Sequence, residues 1–388
     1  MPQLSQRVEL FTDSVIRRMT RISEQYGAIN LSQGYPDFDP PKPMLDRLAQ
    51  VAYEGPHQYS ITFGAQNLRE ALADKHGRAI GRTVDPNREV LVTCGGTEAM
   101  MSAMMTVCNP GDKVIVFSPF YENYGADAIL SGADPIYIPL VPPEFDFDRS
   151  ALEDAFRQGA KAIIVCNPSN PSGKVFTEEE LKLIGDMAIR YDTYVIMDEV
   201  YEHIVYAPHK HVYMSTLPGM WERTVSCSSL SKTYSITGWR LGYAIAPQHL
   251  MDRIKQFHDF NTVGAPSVLM EAAIAGLEMP DSYYEEFGAH YAHMKALFTK
   301  GLDDIGIQYT DPQGAYFVLA NIGQYLKPGQ TDVEFCEEMA RKVGVACVPG
   351  TSFFKENVND IIRVHFAKKD DTLMEALNRL ADIKTKMA

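Results

Sequence analysis

The chain has 388 residues, 45% hydrophobic and 22% charged, enough to bury a large core and to divide into two domains. A formal charge of −14 excludes a general nucleic-acid binder, because phosphate backbones reward clustered cations, so an anionic ligand must be met by local ones. There is no apolar run long enough to span a membrane, and Glu9, Asp13 and Glu24 interrupt the N-terminus, so neither a span nor a targeting peptide is expected.

Six cysteines, at 94, 108, 166, 227, 336 and 347, show no C-x-x-C pairing. They read as buried thiols of a cytoplasmic protein, with no metal expected. Repeats, low-complexity tracts and long Gly/Ser linkers are absent from the sequence, so two domains would be interleaved.

The first predicted helix is TDSVIRRMTRISEQYG, capped by Thr12 or Asp13, with Val15, Met19 and Ile22 on one face and Gly27 ending it. INLSQGYPDFDPP and GPHQYSITFG follow as long loops, the second leading into a helix. From residue 88 to 246 come seven short apolar runs: REVLVT, KVIVFS, DPIYIPL, KAIIVC, YVIMDEV, TVSCSS and RLGYAIA. Most are separated by helical segments such as TEEELKLIGDMAIRYD, which opens with a Thr177 to Glu180 capping box. Strands apolar on both faces and alternating with helices predict an α/β fold with a mainly parallel seven-stranded sheet covered on both sides. Only the last pair lacks room for a crossover helix, so one of those strands is expected to run antiparallel. After Met279 the pattern changes to a long helix near 281–303, then AYFVLANI, DVEFCEEMARKVG, VACVPG, IIRVHFAKK and DTLMEALNRLADIK, a smaller α+β domain. The predicted division is a large domain over 45–285 and a small one built from 1–44 and 286–388.

Ligands of an open parallel α/β sheet sit beyond the carboxyl ends of its strands. REVLVT runs into Cys94-Gly95-Gly96-Thr97 and a helix, a turn whose exposed N–H groups favour a phosphate, although tight turns use glycine pairs without any ligand. KVIVFS delivers Tyr121, KAIIVC delivers Asn167 and Asn170, YVIMDEVY ends in Asp198 with Tyr201 beyond it, and TVSCSS opens into Ser229, Ser231, Lys232 and Arg240. A lone lysine is ordinarily a surface cation, and an aspartate at a strand end ordinarily a cap. Together, however, these groups match one cofactor. Gly96, Thr97, Ser229 and Arg240 suit a phosphate; Tyr121 suits an aromatic ring; Asp198 suits a protonated pyridine nitrogen; Asn170 and Tyr201 suit a ring oxygen; Lys232 suits an aldehyde. The set describes pyridoxal 5′-phosphate.

The Ser229 to Lys232 stretch, the Gly238-Trp239-Arg240-Leu241-Gly242 segment, NPSNPSG, DEVY and CGGTEA together resemble class I/II, fold-type I aminotransferases over essentially the whole chain. INLSQGYPDFDPP and HQYSITFG are most similar to the branch of kynurenine/glutamine transaminases and methionine aminotransferases. The resemblance implies that Lys232 forms the Schiff base and shuttles protons, that Asp198 keeps the ring nitrogen protonated, and that Tyr201 and Asn170 contact the ring oxygen. It implies a homodimer in which Tyr59 enters the neighbour's phosphate site, and a substrate carboxylate held by Arg363 with Asn170 and the Gly34 backbone. Two departures concern the pocket and not the lysine: Cys166 stands where some relatives have asparagine, and TSFFKEN lacks a glycine after its phenylalanines.

The implied reaction is ping-pong transamination between an amino acid and a 2-oxo acid. β-Elimination from cysteine conjugates or cystathionine would share its early steps, and an aspartate-type aminotransferase or a regulatory domain without turnover are the other readings weighed. Thr97 occupies the position where some aspartate-using relatives have lysine. Tyr35, Phe38, Tyr59, Phe63 and Tyr124 are the candidate side-chain pocket, which favours methionine, glutamine or aromatic donors. A helix arginine, Arg17, Arg18 or Arg21, is the alternative partner for a distal carboxylate.

Overall fold

A computed structural model describes residues 2–11 and 13–388. Its largest sheet has eight strands in the order Val90–Thr93, Gly242–Ile245, Thr224–Ser229, Tyr194–Asp198, Ala160–Cys166, Lys113–Ser118, Asp134–Val141 and Asp146–Phe147. The five strands from Thr224–Ser229 to Asp134–Val141 pair in parallel. The sheet is thus one strand wider than its apolar runs predict. The addition, Asp146–Phe147, pairs antiparallel with Asp134–Val141 and is too short for an alternating pattern to register.

Gly242–Ile245 is the antiparallel strand expected near the end of the sheet. It runs against both Thr224–Ser229 and Val90–Thr93. Two reversals restore direction, so Val90–Thr93 points the same way as the parallel strands, and its Cys94–Thr97 turn leaves the sheet at their carboxyl edge.

Alternate side chains of the central strands feed two separate cores. Ile163, Val165, Val195 and Met197 join Leu181 and Ile184 on one face; Ala162, Ile164, Ile196 and Val225 join Ala99, Ala103 and Ile254 on the other. This double burial explains the unbroken apolar runs. The Thr177 to Glu180 capping box is present at helix Glu178–Arg190. At the first long helix, Val15–Tyr26, the cap is Ser14 rather than Asp13, its hydroxyl accepting the Arg17 N–H; Thr12 lies outside the described residues. Ser, Thr and Asp cap with similar strength, so three in succession leave the position undecided by type.

A second sheet is antiparallel throughout, in the order Tyr309–Thr310, Phe317–Asn321, Ile361–His365, Val348–Pro349. Helices Asp281–Ile305, Asp332–Lys342 and Asp370–Leu380 pack with it around Phe298, Phe317, Phe335 and Leu373. Met19 and Leu31 from the N-terminal segment belong to the same core, and Ile29–Asn30 pairs in parallel with Val345–Ala346. Among the described residues, no helix is long and apolar enough to cross a membrane.

Gly242 controls how closely the antiparallel strand approaches the Cys94–Thr97 turn. A Cβ there would lie 2.5 Å from Gly96 N and 2.7 Å from Gly95 O, backbone atoms that cannot swing aside. Gly242→Ala is expected to lower stability by about 1–3 kcal/mol. Gly238→Ala, whose Cβ meets nothing within 4 Å, is expected to change it by less than about 0.5 kcal/mol. Urea denaturation of both variants checks the contrast.

Candidate active site

At the carboxyl edge of the large sheet, where it meets the N-terminal segment and the strand Ile361–His365, lies a cavity of about 500 Å³. Its walls include Gly34, Gly96, Thr97, Tyr121, Asn170, Asp198, Tyr201, Ser229, Lys232, Arg240 and Arg363. Eleven of the twelve residues expected to hold cofactor or substrate therefore meet in one space. The exception is Tyr59, which is 88% exposed and outside the cavity.

Each wall follows from a strand end. Asp198 closes Tyr194–Asp198 and is buried. Burial pushes its carboxyl pKa up, against hydrogen bonds from the Tyr124 hydroxyl and the Val200 N–H. The Tyr124 hydroxyl, itself buried, donates to Oδ2 at 2.6 Å, and Oδ1 accepts the Val200 N–H at 3.4 Å. Tyr124 does line the cavity, as expected, but its hydroxyl is committed to Asp198. Tyr124 sits in the first turn of helix Asn123–Ser131, which begins just beyond Tyr121, and the two rings meet edge-to-face with centroids 5.9 Å apart.

Thr224–Ser229 ends in a short helix, Leu230–Thr233, that carries Lys232. Lys232 is half-buried, and its Nζ donates to Gly34 O at 3.1 Å, with the rings of Tyr201 and Tyr316 each 5.9 Å away. The Ser229 hydroxyl donates to Leu241 O, whereas the buried Ser231 hydroxyl has no partner. Beyond it, Arg240 adopts a left-handed backbone at φ 56°. That conformation costs a non-glycine residue about 1–2 kcal/mol. It is held by guanidinium hydrogen bonds to Thr237 O and Cys94 O, at 2.9 and 3.3 Å. Opposite stands the start of helix Gly96–Val107, which has no side-chain cap. Uncapped N–H groups, the Ser229 and Ser231 hydroxyls and a guanidinium form a donor set suited to a phosphate.

Arg363 is the most buried charge in the cavity, 1% exposed. Its guanidinium lies between the rings of Phe317 and Phe353, 4.4 and 4.6 Å from their centroids. It donates to Asn170 Oδ1 at 2.8 Å and to Ser32 O at 2.6 Å, while Nε has no partner. Among the described residues it makes no ion pair, and burial lowers its pKa to about 10. A buried guanidinium without a carboxylate is costly unless a ligand supplies one.

The other expected pocket residues scatter. Tyr35 lines the cavity, Phe38 packs edge-on against His290 and Tyr291, and Phe63 lies under Lys255. Of the three helix arginines, Arg18 pairs with Glu337 and Arg21 with Asp13, and Arg17 alone lines the cavity.

The Tyr124 contact has a measurable consequence in protein free of ligand. Asp198 holds its proton to higher pH in the folded chain than unfolded, so ionising it as pH rises subtracts from stability. Tyr124→Phe removes a donor from that buried carboxylate and enlarges the subtraction. The variant is expected to lose about 1–3 kcal/mol at pH 8 and less at pH 5; equal losses by urea denaturation at the two pH values would contradict the contact.

The sequence model described as aminotransferase class I and II matches residues 26–380. A Mus musculus protein named kynurenine–oxoglutarate transaminase 3 is 33% identical over 95% of this chain and 88% of its own. A solved Escherichia coli structure, described as a methionine aminotransferase by function, superposes with a TM-score of 0.93 at 32% identity, covering 98% of this chain and 99% of the other. The N-succinyldiaminopimelate aminotransferase of Mycobacterium tuberculosis gives the same TM-score at 33% identity, covering 98% and 100%. A match over nearly the whole length, in sequence and in fold, means that this chain belongs to the class I and II aminotransferases, enzymes that use pyridoxal 5′-phosphate to move amino groups between amino acids and 2-oxo acids.

Proposed function

We propose that this aminotransferase takes methionine, glutamine or an aromatic amino acid as donor, and that Lys232, Asp198, Tyr201 and Arg363 carry its chemistry. The observation that bears most weight is the buried Arg363 guanidinium, which lacks a carboxylate of its own and shares a cavity with the Lys232 amine. An α-carboxylate is the anion every amino acid and 2-oxo acid supplies. Held by Arg363, with Asn170 and the Gly34 backbone beside it, a substrate is oriented with its α-carbon toward Lys232.

Bound pyridoxal phosphate supplies an electron sink for the pair left on the substrate α-carbon when its proton is removed. Gly96, Thr97, Ser229 and Arg240 would hold its phosphate, with Tyr121 beside its ring. Asp198, one oxygen of which is kept by Tyr124, would pair with the ring nitrogen. Tyr201 and Asn170 would donate to the ring oxygen. The Lys232 amine would hold its aldehyde, and the same amine is the group that would take and return the proton at the substrate α-carbon.

Side-chain selection follows from what faces the remaining space. Tyr35, Phe317, Ile16 and Met100 offer apolar surface, and of the three helix arginines Arg17 has no ion pair among the described residues. A neutral side chain buries that surface at about 25 cal/mol per Å², whereas a second carboxylate has only the exposed Arg17 to meet it.

The two termini are proposed to form one small domain, 1–44 and 286–388, against a large one, 45–285; the shared core of Met19, Leu31, Phe298 and Phe335 supports this. The working unit is proposed to be a homodimer. Tyr59 is exposed, as are Tyr53, Ile61, Phe260 and Val263, an apolar set that a two-fold contact would cover while bringing Tyr59 to the neighbour's phosphate site. Six free thiols support a reducing, cytoplasmic compartment.

Lys232→Ala is expected to abolish transamination while leaving the unfolding midpoint near that of the parent, because a half-buried side chain at a cavity rim adds little packing. Retained turnover would remove Lys232 from the chemistry. In a donor panel, kcat/KM for methionine, glutamine or an aromatic amino acid is expected to exceed that for aspartate; a tenfold lead for aspartate would overturn the side-chain reading. Sedimentation equilibrium should give a dimer, and a fully active monomer would remove Tyr59 from the site.

A further inference from the structure

The helix that opens at the Cys94–Thr97 turn carries an acidic residue in its first turn. Glu98 is 8% exposed, and its Oε2 accepts the Cys94 N–H at 2.5 Å. A carboxylate is stabilised there by the partial positive charge of the helix start. The same position sets it against any second anion at that start, since like charges in a desolvated site repel. If the turn is to hold a phosphate, the charge on Glu98 has to be neutralised.

His258, on helix Gln248–Asn261, is in place to do so. Its side chain is fully buried, with Nδ1 2.6 Å from Glu98 Oε1 and Nε2 2.8 Å from Thr62 O. A carbonyl oxygen can only accept, so Nε2 carries a hydrogen. The proton between Nδ1 and Glu98 then decides the charge of the pair. Burial pushes the Glu98 carboxyl up, but hydrogen bonds from His258, Thr262 and the Cys94 N–H outweigh it and hold the pKa below the usual carboxylate value. Burial also opposes charge on His258, yet its bond to Glu98 and the nearby carboxylate raise its pKa above the usual imidazole value. Both directions place the proton on the ring.

We propose that His258 is held as an imidazolium donating from both nitrogens, cancelling the charge of Glu98 at the phosphate turn and tying that turn to the loop that carries Tyr59 and Thr62. This makes His258 a positioning residue for cofactor binding, and the inference rests on the reading of Gly96 and Thr97 as phosphate ligands. A merely structural His258, bracing two helices, would matter equally for every ligand of the cavity. The electrostatic role matters only for a charged one.

The test is titration of the full-length chain, freed of cofactor, with pyridoxal phosphate and with pyridoxal, which lacks the phosphate. His258→Gln is expected to weaken pyridoxal phosphate binding about tenfold or more and pyridoxal by less than about threefold. Glu98→Gln in the same chain, giving E98Q/H258Q, is expected to restore pyridoxal phosphate binding to within about threefold of the parent. Independently, 15N-histidine NMR of the unmodified protein at pH 7.5 should show one ring protonated at both nitrogens, a signal lost in H258Q and converted to a neutral ring in E98Q. Equal losses for the two ligands, a double variant no better than H258Q, or a neutral ring in the parent would each overturn the proposal. Should H258Q fail to fold, E98Q decides: retained pyridoxal phosphate binding with a neutralised ring upholds it, and a tenfold loss overturns it. A parent chain that binds pyridoxal as tightly as pyridoxal phosphate would reject the phosphate turn itself, while the NMR signal still reports the charge of His258.

Discussion

A guanidinium flanked by two phenylalanine rings, with no ion pair among the described residues, is the constraint around which this molecule is arranged. Arg363 comes from the small antiparallel sheet, its Asn170 partner from the loop after a strand of the large sheet, and its Ser32 partner from the N-terminal segment. One side chain therefore joins three distant parts of the chain. Desolvation makes a buried guanidinium without an anion costly, which is the physical argument for the proposed ligand carboxylate.

The large sheet provides the other half of the site by sending strand ends to one edge. Cys166 leads to Asn170, Asp198 closes its own strand, and Ser229 runs on into Lys232. The antiparallel strand Gly242–Ile245 is what allows Val90–Thr93 to join them, because it reverses direction twice between its neighbours. Its glycine lets the Cys94–Thr97 turn come close, and the strained Arg240 just before it reaches back to Cys94 O. The donor set around the Cys94–Thr97 turn and the Arg363 guanidinium thus line one cavity together with Lys232.

How much of this could be read from the residues depended on range. Parallel strands were legible because burial on both faces writes an unbroken apolar run, and the Thr177 capping box because its two partners are three residues apart. The converging strand-end residues were legible because an open sheet confines ligands to one edge. What escaped was set by contacts between distant segments. Tyr124 lines the cavity as its type suggests, but that its hydroxyl serves Asp198, 74 residues away, is visible only in the fold. Phe38 and Phe63 are equally aromatic, yet one serves the small-sheet core and the other lies under Lys255. Two-residue strands such as Asp146–Phe147 and Tyr309–Thr310 carry no periodicity at all.

The claim on which the account turns is that Arg363 receives the substrate carboxylate. The most direct measurement compares equilibrium binding of L-methionine and L-methioninamide, which differ in that group alone, to the parent enzyme and to Arg363→Gln. The account predicts that the parent binds methionine more tightly by about one hundredfold, the worth of a desolvated charge-assisted pair, and that the preference collapses in the variant. Equal binding of acid and amide by the parent, or an undiminished preference in Arg363→Gln, would contradict it.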